Sequence, residues 1–266
     1  MPSPLLPTKP EPADPRRILV VEDSPLNQMI VNAVLVSAGH RVDMANNGLE
    51  AVMAAQAGGF DLILMDLSMP EMDGLTATRL LRGLPGAAGA VPVIAMTADT
   101  DEADRARCLE AGMNDHVAKP VERGQLLDTV ARWLKPAALR GAPAPCAPVA
   151  CWSADAVLDP EILDQLAQDL DADLLVEVLR QFVAETLERV ERIRVQSDPA
   201  ALTREAHTLK STAGTFGARA LCAAARALET ACHGTPTAAE LLLLRDDVAR
   251  LAGEAIAAYR AAGYLD

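Results

Sequence analysis

From Arg16 to Leu134 the chain repeats one pattern, a short apolar run followed by a stretch of helical period, and few folds accommodate that alternation. The runs are Ile18–Val21, Val42–Ala45, Leu62–Met65, Val93–Met96 and Asp115–Val117. Helical patterns follow them over Pro25 to Ala38, Leu49 to Ala57, Leu75 to Leu81, Asp101 to Ala111 and Gln125 to Leu134, the first with Ser24 as N-cap and Pro25 at the opening position. Strands joined by crossover helices build a parallel sheet covered on both faces. Residues 16–135 are therefore expected to form an α/β domain with a five-stranded parallel sheet and five helices.

The pattern then stops. Residues 136–154 carry Pro136, Pro143, Pro145 and Pro148 among small residues and read as a linker, whose flexible-coil span is roughly 20–25 Å. Beyond it only helical spacing remains: Leu175, Leu179, Phe182, Thr186, Val190 and Ile193; Leu221, Ala225, Leu228 and Cys232; Leu241, Leu244, Val248, Leu251, Ala255 and Tyr259. Residues 155–266 are expected to be an all-α helical bundle. Residues 1–15, rich in Pro and without an apolar segment, read as a disordered leader.

Composition excludes several functions. Aromatics make up 3% and the net charge is −13, which leaves neither a base-stacking platform nor a basic groove, so nucleic acid is not an expected partner. Five Cys with no C-x-x-C pair fit a reduced, cytoplasmic setting. No apolar run approaches the ~18 residues that cross a bilayer, so no membrane insertion is expected.

In an open parallel sheet, ligands bind beyond the carboxyl ends of the strands. Those ends carry Glu22 and Asp23, then Asp66, then Thr97, then Lys119 and Pro120. Three carboxylates on one edge repel unless a cation sits among them, and an all-oxygen set suits Mg²⁺, with Lys119 opposing the remaining charge. Asp66, on the middle run, is placed to attack phosphorus and become an acyl phosphate, while Lys119 and the Thr97 hydroxyl contact phosphoryl oxygens. Taken singly each has a plainer use, as an N-cap, a turn hydroxyl or a surface cation.

Val20-Val21-Glu22-Asp23-Ser24, Leu64 to Gly74 with Asp66 at its third position, Ile94-Ala95-Met96-Thr97-Ala98 and Val117-Ala118-Lys119-Pro120 together resemble the response-regulator receiver domain. The resemblance covers about Arg16 to Trp133 and implies a flavodoxin-like fold. It also implies that Asp66 accepts phosphoryl, that Asp23 and Asp66 ligate Mg²⁺ with the Ser68 backbone carbonyl, and that Glu22 acts through a metal-bound water. Thr97 and Lys119 become the switch hydroxyl and the phosphate-pairing lysine. His116 stands where such domains that signal by an aromatic flip carry Tyr or Phe, which places that switch in question.

The second half offers another acceptor. A helical pattern beginning near Asp198-Pro199 places His207, Lys210, Ser211 and Gly214 on one face, with Ala206, Leu209 and Ala213 toward the core. That face reads as a nucleophilic imidazole, a cation one turn along for the phosphoryl charge, and a docking surface at Ser211 and Gly214, where mid-helix Gly costs about 1 kcal/mol relative to Ala. His207 to Gly214 with Phe216-Gly217-Ala218 resembles the histidine-containing phosphotransfer domain, which implies an up-and-down bundle with His207 as phosphoacceptor. His40 and His233 read as helix C-terminal residues, and Met65, Met69, Met72 and Met96 as packing.

Together the halves are expected to act as a two-component phosphorelay intermediate, not an ATP-using enzyme, passing phosphoryl between Asp66 and His207. A sensor histidine kinase upstream and a response-regulator receiver downstream are the implied partners. Two alternatives stand beside it. In one, the bundle is structural and phosphorylated Asp66 only exposes a docking face. In the other, the chain is a Mg²⁺-dependent aspartyl-phosphate phosphohydrolase, although such enzymes want an Asp two residues past the nucleophile and here that residue is Ser68.

Overall fold

The computed structural model describes residues 15–97, 102–119, 121–135, 156–170, 172–234 and 236–265. The expected leader (to residue 14), the linker, Ala98 and Pro120 lie outside the described residues. The first half runs β1 (Arg17–Val21), α1 (Pro25–Ser37), β2 (Arg41–Ala45), α2 (Gly48–Ala57), β3 (Leu62–Asp66), α3 (Gly74–Arg82), α4 (Ala87–Ala90), β4 (Val93–Thr97), α5 (Glu102–Glu110), β5 (Asp115–Ala118) and α6 (Arg123–Leu134).

The sheet has the order β2-β1-β3-β4-β5 with every pair parallel. Every residue of β3 and β4 is buried, as a sheet covered on both faces requires. Alternate residues divide between two apolar layers. Leu19, Val21, Ile63, Met65 and Ala95 pack with α2 and α3, whereas Ile18, Val20, Leu62, Leu64, Ile94 and Met96 pack with Val34 and Leu35 of α1 and Leu126 and Val130 of α6.

The five expected crossover helices are present, and α4 is an addition. One turn of Ala and Gly following Gly86, whose φ is 70°, is too short to carry a period. Arg82 pins this connection, donating to the carbonyls of Gly89, Val91 and Gly112 and to Asn114 Oδ1.

The second half comprises α7 (Pro160–Asp169), α8 (Ala172–Val195), α9 (Pro199–Thr215), α10 (Arg219–Cys232) and α11 (Ala238–Ala261). Asp198 caps α9 by accepting from the amides of Ala200 and Ala201. Of the residues expected inward, Leu175, Leu179, Phe182, Thr186, Val190 and Ile193 are all buried. The Phe216-Gly217-Ala218 motif has a structural cause. Phe216 stacks on Phe182 with ring centroids 4.8 Å apart and accepts from Tyr259 Oη through its carbonyl at 2.5 Å, while Gly217 takes φ 71° to reverse the chain.

The two halves pack against each other through α1. Its Val31, Val34 and Leu35 face the sheet, but Leu26 and Ile30, 0% and 4% exposed, join the apolar cluster of the bundle. Arg123 of α6 pairs with Asp169 of α7 at 2.6 Å across the same boundary.

Candidate functional site

β1 and β3 are neighbours in the sheet, so the residues that follow or end them share one edge. Ligand atoms of Glu22, Asp23 and Asp66 lie within 4.8 Å of one another. Lys119, delivered by β5, places Nζ 2.6 Å from Glu22 Oε2 and 2.8 Å from Asp66 Oδ2. Burial alone would lower the Lys119 ammonium, but Asp66 and Glu22 raise it above its ordinary value. Burial pushes the Glu22 carboxyl up, with Asp66 adding to the rise and Lys119 opposing it. Asp23 is pushed up to about 6, first by burial and then by Asp66. Three carboxylates facing one ammonium in a buried corner leave negative charge uncompensated, and an all-oxygen donor set of this kind fits a hard divalent cation such as Mg²⁺.

The loop after β3 is held close. Ser68 donates its amide to Asp66 Oδ1 at 3.3 Å, and a Cβ on Gly74 would collide with the Asp66 carbonyl oxygen. Gly is required there by close approach. Thr97 ends β4 and is buried. His116 is half-buried with Nδ1 3.8 Å from Asp115, in a small pocket with Arg105 and Cys108, and burial lowers its pKa.

In the bundle, Ala206, Leu209 and Ala213 are fully buried as expected. On the opposite face, Lys210 is 2% exposed and sits 2.6 Å from Glu229 Oε2. Glu229 of α10 uses its other oxygen on His207 Nδ1 at 2.5 Å. With the ring proton on Nδ1, Glu229 accepts it and Nε2 keeps its lone pair. Burial works against the Glu229 charge, yet the hydrogen bond and charge of His207, followed by those of Lys210, hold the carboxyl down at about 2. Ser211 and Gly214 are buried, and Ser211 meets α1: Asn27 Nδ2 donates to Ser211 Oγ at 3.1 Å and also to Glu22 Oε1 at 2.9 Å.

That packing brings Asp66 and His207 to one cleft. Asp66, Ser68, Thr97, Arg107, His207 and Glu229 line a space of about 320 Å³. A second opening that shares Ser68 and His207 is bounded also by Asp23 and Arg189, and the Asp23 carboxyl feels the charges of both Arg189 and His207. His233, read from sequence as a helix end only, does follow α10 and also lines both spaces. His40 follows α1, as expected, and burial lowers its pKa.

Sequence reasoning missed Glu229, Asn27 and Arg189. Glu229 lies on a different helix from His207, and no local spacing joins them. Asn27 carried one signal: α1 is apolar at Leu26, Met29, Ile30, Val31, Ala33, Val34, Leu35 and Val36, more than one sheet-facing stripe needs.

Comparison with known proteins gives two family matches. Residues 18–131 match the response regulator receiver domain and residues 174–260 match the Hpt domain. The signal transduction histidine-protein kinase BarA of Escherichia coli K12 is 33% identical over 217 residues, covering 80% of this chain and 23% of BarA. The sensor histidine kinase GacS of Pseudomonas protegens is 31% identical over 229 residues, covering 80% of this chain and 24% of GacS. The chain thus spans about a quarter of the length of these relatives. The receiver domain of the sensor histidine kinase PA1611 from Pseudomonas aeruginosa PAO1, solved with magnesium in its active-site cleft, is 43% identical; the match covers 46% of this chain and 98% of that one, with a TM-score of 0.43. Among the described residues no helix is long and apolar enough to cross a membrane.

Proposed function

Because residues 18–131 belong to the response regulator receiver domain family and residues 174–260 to the Hpt domain family, in a chain of two-component phosphorelay signalling, we propose that phosphoryl passes between Asp66 and His207 within one molecule. The observation that carries the reading is the cleft lined by both Asp66 and His207.

In the forward step the Nε2 lone pair of His207 attacks phosphorus, the N–P bond forms and the P–O bond to Asp66 breaks. Asp66 leaves as a carboxylate beside the Lys119 ammonium, 2.8 Å away. The Nδ1 proton stays in its bond to Glu229, whose charge offsets the positive charge that develops on the ring. Lys210 holds Glu229 from the far side. Thr97 is placed to hydrogen-bond a phosphoryl oxygen, and in the reverse step the same groups act in the opposite order. Glu22, Asp23 and Asp66 with the Ser68 carbonyl would hold Mg²⁺, which neutralises phosphoryl oxygens when bound. A sensor histidine kinase upstream and a receiver of another protein downstream complete the relay.

The test loads the chain with a small-molecule phosphodonor and Mg²⁺, comparing wild type with Asp66→Asn and His207→Gln. Histidine phosphate survives alkali and acyl phosphate does not. Alkali-stable label in wild type, absent from both variants and formed at a rate independent of protein concentration, is the expected result. Label confined to Asp66 would instead make the bundle a docking module.

A further inference from the structure

A phosphoryl group that moves from Asp66 to His207 leaves its counter-charges behind. Lys119 is held between Glu22 and Asp66, and the acidic cluster lies on the receiver half as well. On the bundle side the group bonded to the imidazole is itself an anion, Glu229, with Lys210 on its other oxygen and 2% exposed. A dianionic group arriving at Nε2 therefore calls for a further cation that faces the cleft from the bundle.

Arg189 of α8 meets that description. It lines an opening of about 330 Å³ together with Asp23, Ser68 and His207, and its charge reaches Asp23 across the boundary between the halves. The side chain is 15% exposed, low for an arginine, and Nη1 bonds Glu205 Oε2 at 2.6 Å. Glu205 stands two residues before His207 on α9 and also accepts from Arg192 Nε at 2.9 Å. The guanidinium is thus braced from the helix that carries the imidazole, and little ordering is left for the moment of transfer. Among the described residues it makes no other hydrogen bond, which leaves Nε and Nη2 as donors. Arg204 at the same opening is exposed, and Arg107 across the cleft belongs to the receiver.

We propose that Arg189 binds the phosphoryl group on His207: Nε and Nη2 donate to two phosphoryl oxygens as the P–O bond to Asp66 breaks and the N–P bond forms, so that the guanidinium takes over from Lys119 in opposing the charge of the group. The planar fork of two N–H donors matches two oxygens on one phosphorus. Nη1 stays on Glu205, and the guanidinium keeps all its protons. The proposal rests on reading Asp66 and His207 as partners in transfer.

A plainer role would be a staple, since the Arg189–Glu205 pair also ties α8 to α9. The two roles predict different things. A staple contributes to stability and leaves the distribution of phosphoryl between Asp66 and His207 alone, whereas a group bound to phosphoryl on His207 shifts the distribution toward that end.

Full chains are loaded with a small-molecule phosphodonor and Mg²⁺, the donor is removed, and alkali-stable and alkali-labile label are measured as the two sites exchange. Wild type is compared with Arg189→Gln and with Arg192→Gln. The second variant makes the same change of charge on the same helix and removes the other bond to Glu205, but Arg192 is not among the residues lining either opening. Arg189→Gln should shift the ratio toward Asp66 by roughly tenfold, the size of one hydrogen bond to a charged group, and Arg192→Gln by less than about twofold. In chains carrying Asp66→Asn and loaded on His207 with phosphoramidate, the phosphorus NMR resonance should move with Arg189→Gln and stay in place with Arg192→Gln. Far-UV melting checks folding. If Arg189→Gln does not fold, Arg189→Lys, which can still pair with Glu205 but lacks the fork, carries the test with a few-fold shift expected.

With alkali-stable label present in wild type, an unmoved ratio in a folded Arg189 variant, or equal shifts from Arg189→Gln and Arg192→Gln, overturns this inference and leaves the proposed function standing. A wild type without alkali-stable label removes His207 as phosphoacceptor, which defeats the proposed function first and this inference with it.

Discussion

Replacing Glu229 by Gln removes the charge that organises the bundle site while leaving an oxygen for His207 Nδ1. The Glu229 carboxyl is lowered from an ordinary 4.5 to about 2, which by linkage corresponds to about 3 kcal/mol of native-state stabilisation at neutral pH. Solvent reaching the cleft screens part of this, so about 2 kcal/mol is the expected loss for Glu229→Gln at pH 7. Lys210, 2% exposed, would then lose the Glu229 charge that faces it at 2.6 Å. A carboxylate depressed in the folded state contributes fully above its unfolded value of 4.5, and the contribution drains away as pH falls toward 2. The difference between wild type and variant should therefore shrink by roughly 1 kcal/mol between pH 7 and pH 3.5. Urea midpoints read by far-UV ellipticity at both pH values measure it. Transfer from Asp66 to His207 should also slow roughly tenfold, the difference between a charged and a neutral acceptor on Nδ1. A destabilisation identical at both pH values would refute the electrostatic account, and a variant as stable as wild type at pH 7 would refute the network itself.

Three further substitutions probe the same framework. Gly74→Ala drives a Cβ into the Asp66 carbonyl and the Met65 side chain, so a loss of about 2 kcal/mol, seen as a fall in Tm, and slower Asp66 labelling are expected; unchanged Tm would mean the loop has room to move. Lys119→Met removes the cation shared by Glu22 and Asp66, and labelling of Asp66 by a small phosphodonor should fall about 100-fold in a protein that still melts cooperatively. Tyr259→Phe deletes the bond to the Phe216 carbonyl and should cost about 1–2 kcal/mol by urea denaturation, with no change in Asp66 labelling, since the two lie in different halves.

Most of the scaffold was legible because it is periodic. The strands Ile18–Val21 and Leu62–Met65 alternate residues between two layers, and the Ser24-Pro25 and Asp198-Pro199 pairs begin helices for local reasons of capping and fixed φ. The acidic cluster was legible as well, because a parallel sheet brings strand ends to one edge whatever the intervening helices contain. The partner of Lys210 was not legible, for the opposite reason. The place of Lys210 one turn from His207 is a helical certainty, but its direction depends on Glu229, which α10 supplies from a distant part of the chain. The turn Ala87–Ala90 escaped because one turn has no period to detect.

The sequence by itself determined two domains of different class, a carboxylate edge with a lysine, and a histidine on a capped helix, since each follows from short-range periodicity and from the geometry common to any parallel sheet or helix. Only the tertiary structure decided that α1 has a second apolar face, that Asn27 joins the acidic cluster to Ser211, and that Asp66 and His207 share one cleft. Those contacts join residues far apart in sequence. They depend on complementary shape and charge between surfaces, which no spacing within either surface encodes.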